Sequence, residues 1–196
     1  SFVDSPTIDE EKMIQKRSLQ VFKIKRPKYY VKILKPILFN NDFHIFLVAP
    51  HQSMNDYFYK NADADEMIFV HEGSGILKTQ YGQLQFGYGD YLMVPRGTIH
   101  QIEFTNEENR LFIVESFSPI RFPKKYLSKY GQLLEHSPYS ERDIRTPQNL
   151  QTIDEKGDFL IMTKKKGMMY GLHYLHHPFD VIGWDGCCYP YVLSIH

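Results

Sequence analysis

The region from residue 66 to residue 117 constrains the fold most strongly, because short apolar runs alternate there with glycine turns. One run covers residues 66–70 and closes at Glu-Gly-Ser-Gly, residues 72–75; another covers residues 91–94 and stops at Pro95. Such runs, spaced about 8–12 residues apart with no helical pattern between them, are typical of antiparallel sandwiches and barrels. The 14 Tyr and 14 Phe also favour strands over disorder. The sequence therefore predicts a mostly β chain.

The chain divides into three segments that differ in polarity and in strand pattern. Residues 1–29 are polar, with one helix-like run at 9–16, and residues 30–122 carry the β-rich pattern of a barrel. Residues 123–196 are a connecting segment with further strands. The chain stops inside the apolar run 193–196, so we expect it to continue in a longer parent protein.

The connecting segment has its own pattern. Residues 123–130 begin with Pro and are followed by Gly131, which predicts a short helix. The polar stretch 135–155 predicts an extended surface connection, and strands are expected at 159–163 and 169–175.

Composition excludes several classes of function. The chain has 23 Lys and Arg against 23 Asp and Glu, so no overall field attracts nucleic acid or a membrane surface. The short basic run Lys164–Lys166 is predicted to be a solvated face. No apolar run reaches the roughly 18–20 residues of a membrane-spanning helix. The two cysteines, Cys187 and Cys188, are adjacent and poorly placed for a disulfide, which indicates packing residues in a reducing, cytoplasmic compartment.

The most informative stretch runs from Gly89 to His100. Pro95 ends one strand, Gly97 permits a sharp reversal, and His100 starts the next strand. By alternation, His100 shares the inward face with Ile102 and Phe104. The stretch resembles the second motif of the cupin superfamily, G-x5-P-x-G-x2-H-x3-N, except that Phe104 replaces the last Asn. That resemblance implies a cupin-like antiparallel β-barrel or jelly roll, here with extra strands and a short helix.

The first cupin motif is incomplete. Glu66 and Gly73 match its Glu and Gly, but no H-x-H pair precedes them. Non-haem iron sites take two His and one carboxylate or more. This barrel offers Glu66 and His100, with Asn61 or Asp63 as weak third candidates. We therefore expect no bound metal, vestigial positions at Glu66 and His100, and a structural pairing of His100 with Glu66 or a backbone group.

Three histidines near the end of the chain, His173, His176 and His177, form the other candidate cluster. No Cys, Asp or Glu stands at a recognised ligand spacing from them, so ligation is not expected and their role stays open. The two adjacent cysteines lack an activating neighbour, which argues against a thiol nucleophile.

Longer blocks at residues 57–75, 89–98, 130–145 and 177–191 resemble the homogentisate 1,2-dioxygenase family, in the family's order. The resemblance implies an Fe(II) enzyme of tyrosine and phenylalanine catabolism that converts homogentisate and O2 to maleylacetoacetate. It also implies two cupin-like halves, assembly as a homo-oligomer (trimer or hexamer), and iron held by two His and one Glu of the C-terminal half. No iron ligand or catalytic residue is therefore carried over to this chain, its substrate-binding residues stay unknown, and the 196 residues alone are expected to be inactive.

Two other functions remain open. One is a non-catalytic cupin that binds a small ligand or a partner protein through an open, polar-lined mouth. The other is a metal-free cupin isomerase or epimerase with His100 as base and a tyrosine such as Tyr91 as acid. The second requires a basic residue inside the barrel, and nothing in the sequence places Arg96 inward.

Overall fold

The computed structural model describes residues 36–196, so the expectations for residues 1–35, including the helix at 9–16, lie outside the described residues. Thirteen strands follow one another within these described residues. They are β1 Leu38–Phe39, β2 Phe43–Val48, β3 Phe58–Asn61, β4 Asp65–Glu72, β5 Gly75–Thr79, β6 Gly82–Phe86, β7 Asp90–Val94, β8 His100–Phe104, β9 Arg110–Ser116, β10 Ile144–Arg145, β11 Lys156–Lys165, β12 Met168–His176 and β13 Tyr191–Ser194. Two 3-10 turns, Lys124–Tyr126 and Glu141–Asp143, are the described helical elements.

The strands form two sheets that enclose one core. The seven-stranded sheet has the order β1-β2-β9-β4-β7-β13-β10, and the six-stranded sheet has the order β12-β11-β3-β8-β5-β6. Neighbours are antiparallel except β11 and β3, which are parallel. Alternate residues of both sheets face inward and build the main apolar core. The predicted mostly β, cupin-like architecture is confirmed.

Two glycines show how the corners around β7 are made. Gly89, before β7, has φ +83°, and Gly97, after it, has φ +87°. Both values lie in the left-handed region that favours glycine. At Gly89 an added Cβ would also stand 2.4 Å from a ring nitrogen of His196, so that exposed side chain would have to move. These corners carry the chain from β6 through β7 to His100 at the start of β8.

The segment 123–196 contributes strands to both sheets. β13 pairs with β7, and β11 pairs with β3, so Val192 and Ile161 are fully buried. β11 and β12 extend beyond the predicted runs at 159–163 and 169–175. Strands from both sides of the predicted boundary at residue 122 therefore belong to the same two sheets.

Some local predictions were wrong. The helix expected at 123–130 is a single 3-10 turn, because Leu127 is extended and bridges to Leu133. The connection 135–155 is not wholly extended, since it includes the turn Glu141–Asp143 and the short β10. Cys187 and Cys188 are free but exposed, because they lie in a surface loop and not in the core. Among residues 36–196, no helix is long and apolar enough to cross a membrane.

Candidate functional site

The two cupin-motif residues lie inside the barrel on opposite sheets. Glu66 belongs to β4 and His100 to β8, and both are essentially inaccessible to solvent. Tyr59 on β3 touches both, because its hydroxyl donates to Glu66 Oε1 at 3.3 Å and its ring meets the His100 ring edge-on at 5.4 Å. His100 Nδ1 donates to the carbonyl oxygen of Thr98 at 3.2 Å. Of the two partners expected for His100, the structure selects the backbone group.

A second carboxylate faces Glu66 from the neighbouring strand. Glu115 on β9 stands directly opposite Glu66 in the antiparallel register, and it too is fully buried. Like charges in this position repel each other, and burial removes the water that would screen them. A stable barrel therefore needs donors between these two side chains.

Asn61 and Lys164 supply those donors. The Asn61 Nδ2 atom donates to Glu66 Oε1 at 3.0 Å and to Glu115 Oε1 at 2.8 Å. The Lys164 ammonium binds both oxygens of Glu115, at 2.5 and 2.6 Å, with 9% of the lysine side chain exposed. The two donors arrive together because Lys164 on β11 registers with Asn61 on β3 in the parallel pair. We call Tyr59, Asn61, Glu66, His100, Glu115 and Lys164 the barrel cluster.

Protonation follows from burial. Desolvation, and after it the charge of Glu115, raises the pKa of Glu66 to about 7, against the smaller opposing effects of Asn61 and Lys164. Desolvation lowers the pKa of His100 to about 4, so its ring is neutral at neutral pH. At the rim, His44 Nδ1 lies 3.6 Å from Glu115 Oε2, and burial lowers the pKa of His44 as well. Burial thus favours the neutral forms of Glu66, His100 and His44, the titratable groups around the Lys164–Glu115 ion pair.

The donors of the barrel cluster do not fit a divalent metal. Glu115 already binds an ammonium with both of its oxygens, and Asn61 turns its donating NH2 group, not its oxygen, toward the carboxylates. Within residues 36–196 no three His, Cys, Asp or Glu side chains converge as a ligand set. Two buried atoms of the barrel cluster, Glu66 Oε2 and His100 Nε2, have no hydrogen-bond partner among the described residues.

Two sequence predictions about this region were wrong. Lys164 was predicted to be part of a solvated face, but it is buried, whereas Lys165 and Lys166 are exposed. Asp63, a weak ligand candidate, lies outside the barrel and accepts from the backbone N–H groups of Lys166 and Gly167. The other weak candidate, Asn61, does lie in the cluster, as a donor.

The three late histidines do not form one site. His173 is exposed and lies 2.6 Å from Asp158, and His176 is also exposed. His177 instead packs against the rings of Phe58 and Phe159, with centroid distances of 5.3 and 5.0 Å. Its role is the packing of a small satellite core on the outside of the six-stranded sheet.

The acid–base pair suggested for an isomerase is not assembled. His100 faces the barrel interior, whereas Tyr91 faces outward from β7, where its ring lies 4.7 Å from that of Phe69. Leu92, the next residue, takes the inward position. Arg96 is exposed and donates to the backbone oxygen of Asp63. The basic residue inside the barrel is Lys164, and Glu115 neutralises it.

A cavity of about 230 Å³ lies on the outer face of the seven-stranded sheet. Aromatic and apolar side chains of the sheet and of the segment that crosses it form most of the lining, with Arg121 as the charged member. This apolar lining differs from the polar-lined mouth that was predicted for a binding cupin. We call this space the outer cavity; its lining is Met67, Tyr91, Met93, Ile120, Arg121, Phe122, Tyr139, Tyr191 and Leu193.

Comparison with known proteins agrees with this architecture. Residues 35–195 match the family model described as homogentisate 1,2-dioxygenase N-terminal. A protein of Saccharolobus solfataricus, named "Putative dioxygenase", is 38% identical over 160 residues, which cover 82% of this chain and 41% of that protein. The chain therefore spans about two fifths of the length of this curated relative.

Solved structures of cupins also match. A cupin-2 domain protein of Shewanella frigidimarina is 24% identical, with a TM-score of 0.36, over 42% of this chain and 78% of that one. A cupin superfamily protein of Desulfitobacterium hafniense is 16% identical, with a TM-score of 0.42, over 54% of this chain and 95% of that one.

The fold and the barrel cluster define a cupin-like β-barrel whose interior holds a buried lysine–glutamate ion pair. More particularly, the chain belongs to the homogentisate 1,2-dioxygenase N-terminal family. It is a dioxygenase-family domain, as its similarity to the archaeal relative also indicates.

Proposed function

We propose that this chain is the structural N-terminal part of a cytoplasmic, Fe(II)-dependent dioxygenase that opens the ring of homogentisate with O2. Both oxygen atoms enter the product, maleylacetoacetate, in the breakdown of tyrosine and phenylalanine. The iron and its ligands would belong to sequence beyond this chain, and the whole protein would assemble as a homo-oligomer. The family match and the two-fifths coverage of the relative support this proposal.

One observation carries the structural role. Inside the barrel, Glu115 lies opposite the cupin-motif residue Glu66, and the Lys164 ammonium binds both oxygens of Glu115. A facial iron site needs free carboxylate and imidazole donors and open positions for substrate and O2. The barrel cluster offers two buried orphan atoms and no third ligand, so its contribution is to hold the fold.

Oxygen uptake tests the proposal. The 196-residue chain with Fe(II) and homogentisate should consume no O2 above the rate of Fe(II) alone. The parent polypeptide, extended past residue 196, should consume O2 and form maleylacetoacetate. Turnover by the 196-residue chain would refute the structural role, and an inactive iron-loaded parent would refute the reaction.

A paired variant separates folding from chemistry. In the parent polypeptide, Glu66→Gln together with His100→Asn should keep kcat and iron content per folded molecule, because neither side chain would touch iron or substrate. An exposed pair, Glu103→Gln with His71→Asn, is the matched control. Loss of iron from the first pair alone would place the metal in this barrel and overturn the proposal.

A second candidate, a non-catalytic binding cupin, is favoured by the outer cavity. Its aromatic lining suits a small apolar or aromatic ligand, and its volume of about 230 Å³, below the roughly 300–1,000 Å³ of most ligand pockets, limits the size of that ligand. Calorimetric titration of homogentisate into the 196-residue chain would decide between the two. Binding that is lost in a Tyr191→Ala variant would support the binding module, and no measurable heat would support the structural role.

A further inference from the structure

The four edges of the two sheets differ in how they are protected. The seven-stranded sheet ends in β1 and β10, which have two residues each. The six-stranded sheet ends at one side in β6, where Gln148 pairs with Gln83 through N–H···O bonds of 2.7 and 2.9 Å. Its other edge is β12, nine residues long, and no strand within residues 36–196 pairs with the outer side of β12.

β12 also lacks two of the features that usually guard an edge strand, namely charged residues and proline. Its sequence, Met-Met-Tyr-Gly-Leu-His-Tyr-Leu-His, contains no Asp, Glu, Lys, Arg or Pro. Six of its nine residues are exposed, among them Leu175, whose side chain is 77% exposed. Natural edge strands are short, charged, bulged or covered, because unpaired backbone groups are a template for another strand. A long, uncharged edge of this kind indicates a strand that is paired in the assembled protein.

The sequence of β12 is complementary to itself. Suppose that two copies of β12 run antiparallel about a twofold axis at Leu172. A residue a given number of positions before Leu172 in one copy then faces the residue the same number of positions after Leu172 in the other copy. Leu172 then meets its own copy, and two further pairs match in kind, with Tyr against Tyr on one face and Met against Leu on the other. The facing pairs are Leu172 with its own copy, Gly171 with His173, Tyr170 with Tyr174, Met169 with Leu175 and Met168 with His176.

We propose that β12 pairs with β12 of a second copy of this chain, joining the two six-stranded sheets edge to edge. The absence of charge along the strand means that the symmetric contact brings no like charges together. Backbone hydrogen bonds along the pair would satisfy the outer N–H and C=O groups of β12. The inference rests on the homo-oligomer of the proposed function and is independent of the ring-cleaving reaction.

A designed cross-link tests the register. Residues directly opposite in an antiparallel pair have Cα atoms about 4.5–5.5 Å apart, within the range of a disulfide. In a background where Cys187 and Cys188 are replaced by Ser, Leu172→Cys should form covalent dimers under mild oxidation. Leu175→Cys is the matched control, since it is more exposed yet faces Met169 and lies far from its own copy. Equal cross-linking of both variants, or none at residue 172, would overturn the proposed register.

A charge at the centre of the strand tests the contact itself. Leu172→Lys sets two ammonium groups against each other and should weaken self-association by about tenfold or more. Leu38→Lys, at a residue of similar exposure on β1, should leave association unchanged. Sedimentation velocity gives the masses, and thermal unfolding verifies that both variants fold. A monomeric wild-type chain, or a Leu172→Lys chain that associates like the wild type, would overturn the proposal while leaving the oxygen-uptake test of the reaction unaffected.

Discussion

The inner and outer faces of the seven-stranded sheet differ in whether they bury charged groups. Inward from β4 and β9, Glu66 and Glu115 bury two carboxylates that need partners. Outward from the neighbouring positions, Met67 and Tyr91 line the outer cavity, where nothing charged is fully buried. One residue of alternation along a strand separates the two environments. Because its polar groups are buried, the interior should lose much stability when one polar partner is removed. Substitutions on the outer face should cost less.

The largest effect is expected from Lys164→Met, which keeps the length of the side chain but removes its charge. Glu115 would then be buried without its cation, at a cost of about 3–5 kcal/mol in the free energy of unfolding. Urea denaturation at neutral pH measures the loss. Lys165→Met, at the exposed neighbour, should change the value by less than about 0.5 kcal/mol. Equal effects of the two variants would mean that the interior ion pair contributes nothing.

The pH dependence of stability sharpens the contrast. The pKa of Glu66 is raised from 4.5 to about 7, so its contribution to stability is present below pH 4.5 and is lost as pH rises to about 7. The pKa of His100 is lowered from 6.5 to about 4, so its contribution is present above pH 6.5 and is lost as pH falls to about 4. Each shift corresponds to roughly 3 kcal/mol, so the two contributions offset each other in the shared window.

Single variants should separate the two contributions. Glu66→Gln should make stability rise by about 3 kcal/mol between pH 4.5 and pH 6.5 relative to the wild type, because the contribution of His100 is then unopposed. His100→Asn should give a fall of similar size over the same window. Urea titrations at the two pH values measure both slopes. If both variants kept the wild-type profile, Glu66 and His100 would not titrate as their burial requires.

A smaller loss is expected from Asn61→Ala. Asn61 donates to both carboxylates, and its Oδ1 accepts from the backbone N–H groups of Asp63 and Ala64. Removing these bonds should cost about 2 kcal/mol and raise the pKa of Glu66 further, since the Asn61 bond lowers it. Denaturation and a carboxyl infrared titration measure the two effects. Asn55→Ala, at an exposed site, is the control, and a lower Glu66 pKa in Asn61→Ala would contradict the bridging role.

The smallest effect is expected on the outer face, from Met67→Ala. Met67 is half-buried beside a cavity that is already present, so the lost contact should cost about 1 kcal/mol. Ile68→Ala, the inward neighbour, should cost about 2–5 kcal/mol and serves as the matched comparison. Thermal and urea unfolding measure both. A Met67→Ala loss as large as that of Ile68→Ala would remove the distinction between the two faces.

The sequence predicted the parts of this molecule that local pattern determines. Glycine corners and period-two alternation placed β4 to β9 and turned His100 and Ile102 inward, as the structure has them. The cupin motifs also singled out Glu66 and His100, which the structure buries inside the barrel. These features depend on neighbours within about ten residues, which a pattern can capture.

The partners of Glu66 could not be predicted in the same way. Glu115 is opposite Glu66 through strand pairing. Lys164, which binds Glu115, lies 49 residues after Glu115 in the sequence. Lys164 begins a run of three lysines, whose composition suggests solvent. One signal in the sequence could have placed Lys164. It is two residues after Met162, so in a strand both side chains lie on the same face, the inward one. That signal requires knowledge that β11 joins β3, and no local pattern predicts a parallel pairing over about 100 residues.

The parallel pairing of β11 with β3 also sets the smallest piece of this protein that can be produced and studied. A gene cut at residue 122, where the sequence pattern changes, would encode both carboxylates and leave out the cation that neutralises them. Such a product would bury Glu115 beside Glu66 without its cation, and loose, aggregation-prone material is the expected yield. Expression boundaries for this family should therefore be drawn beyond β11, whatever the apparent end of the barrel.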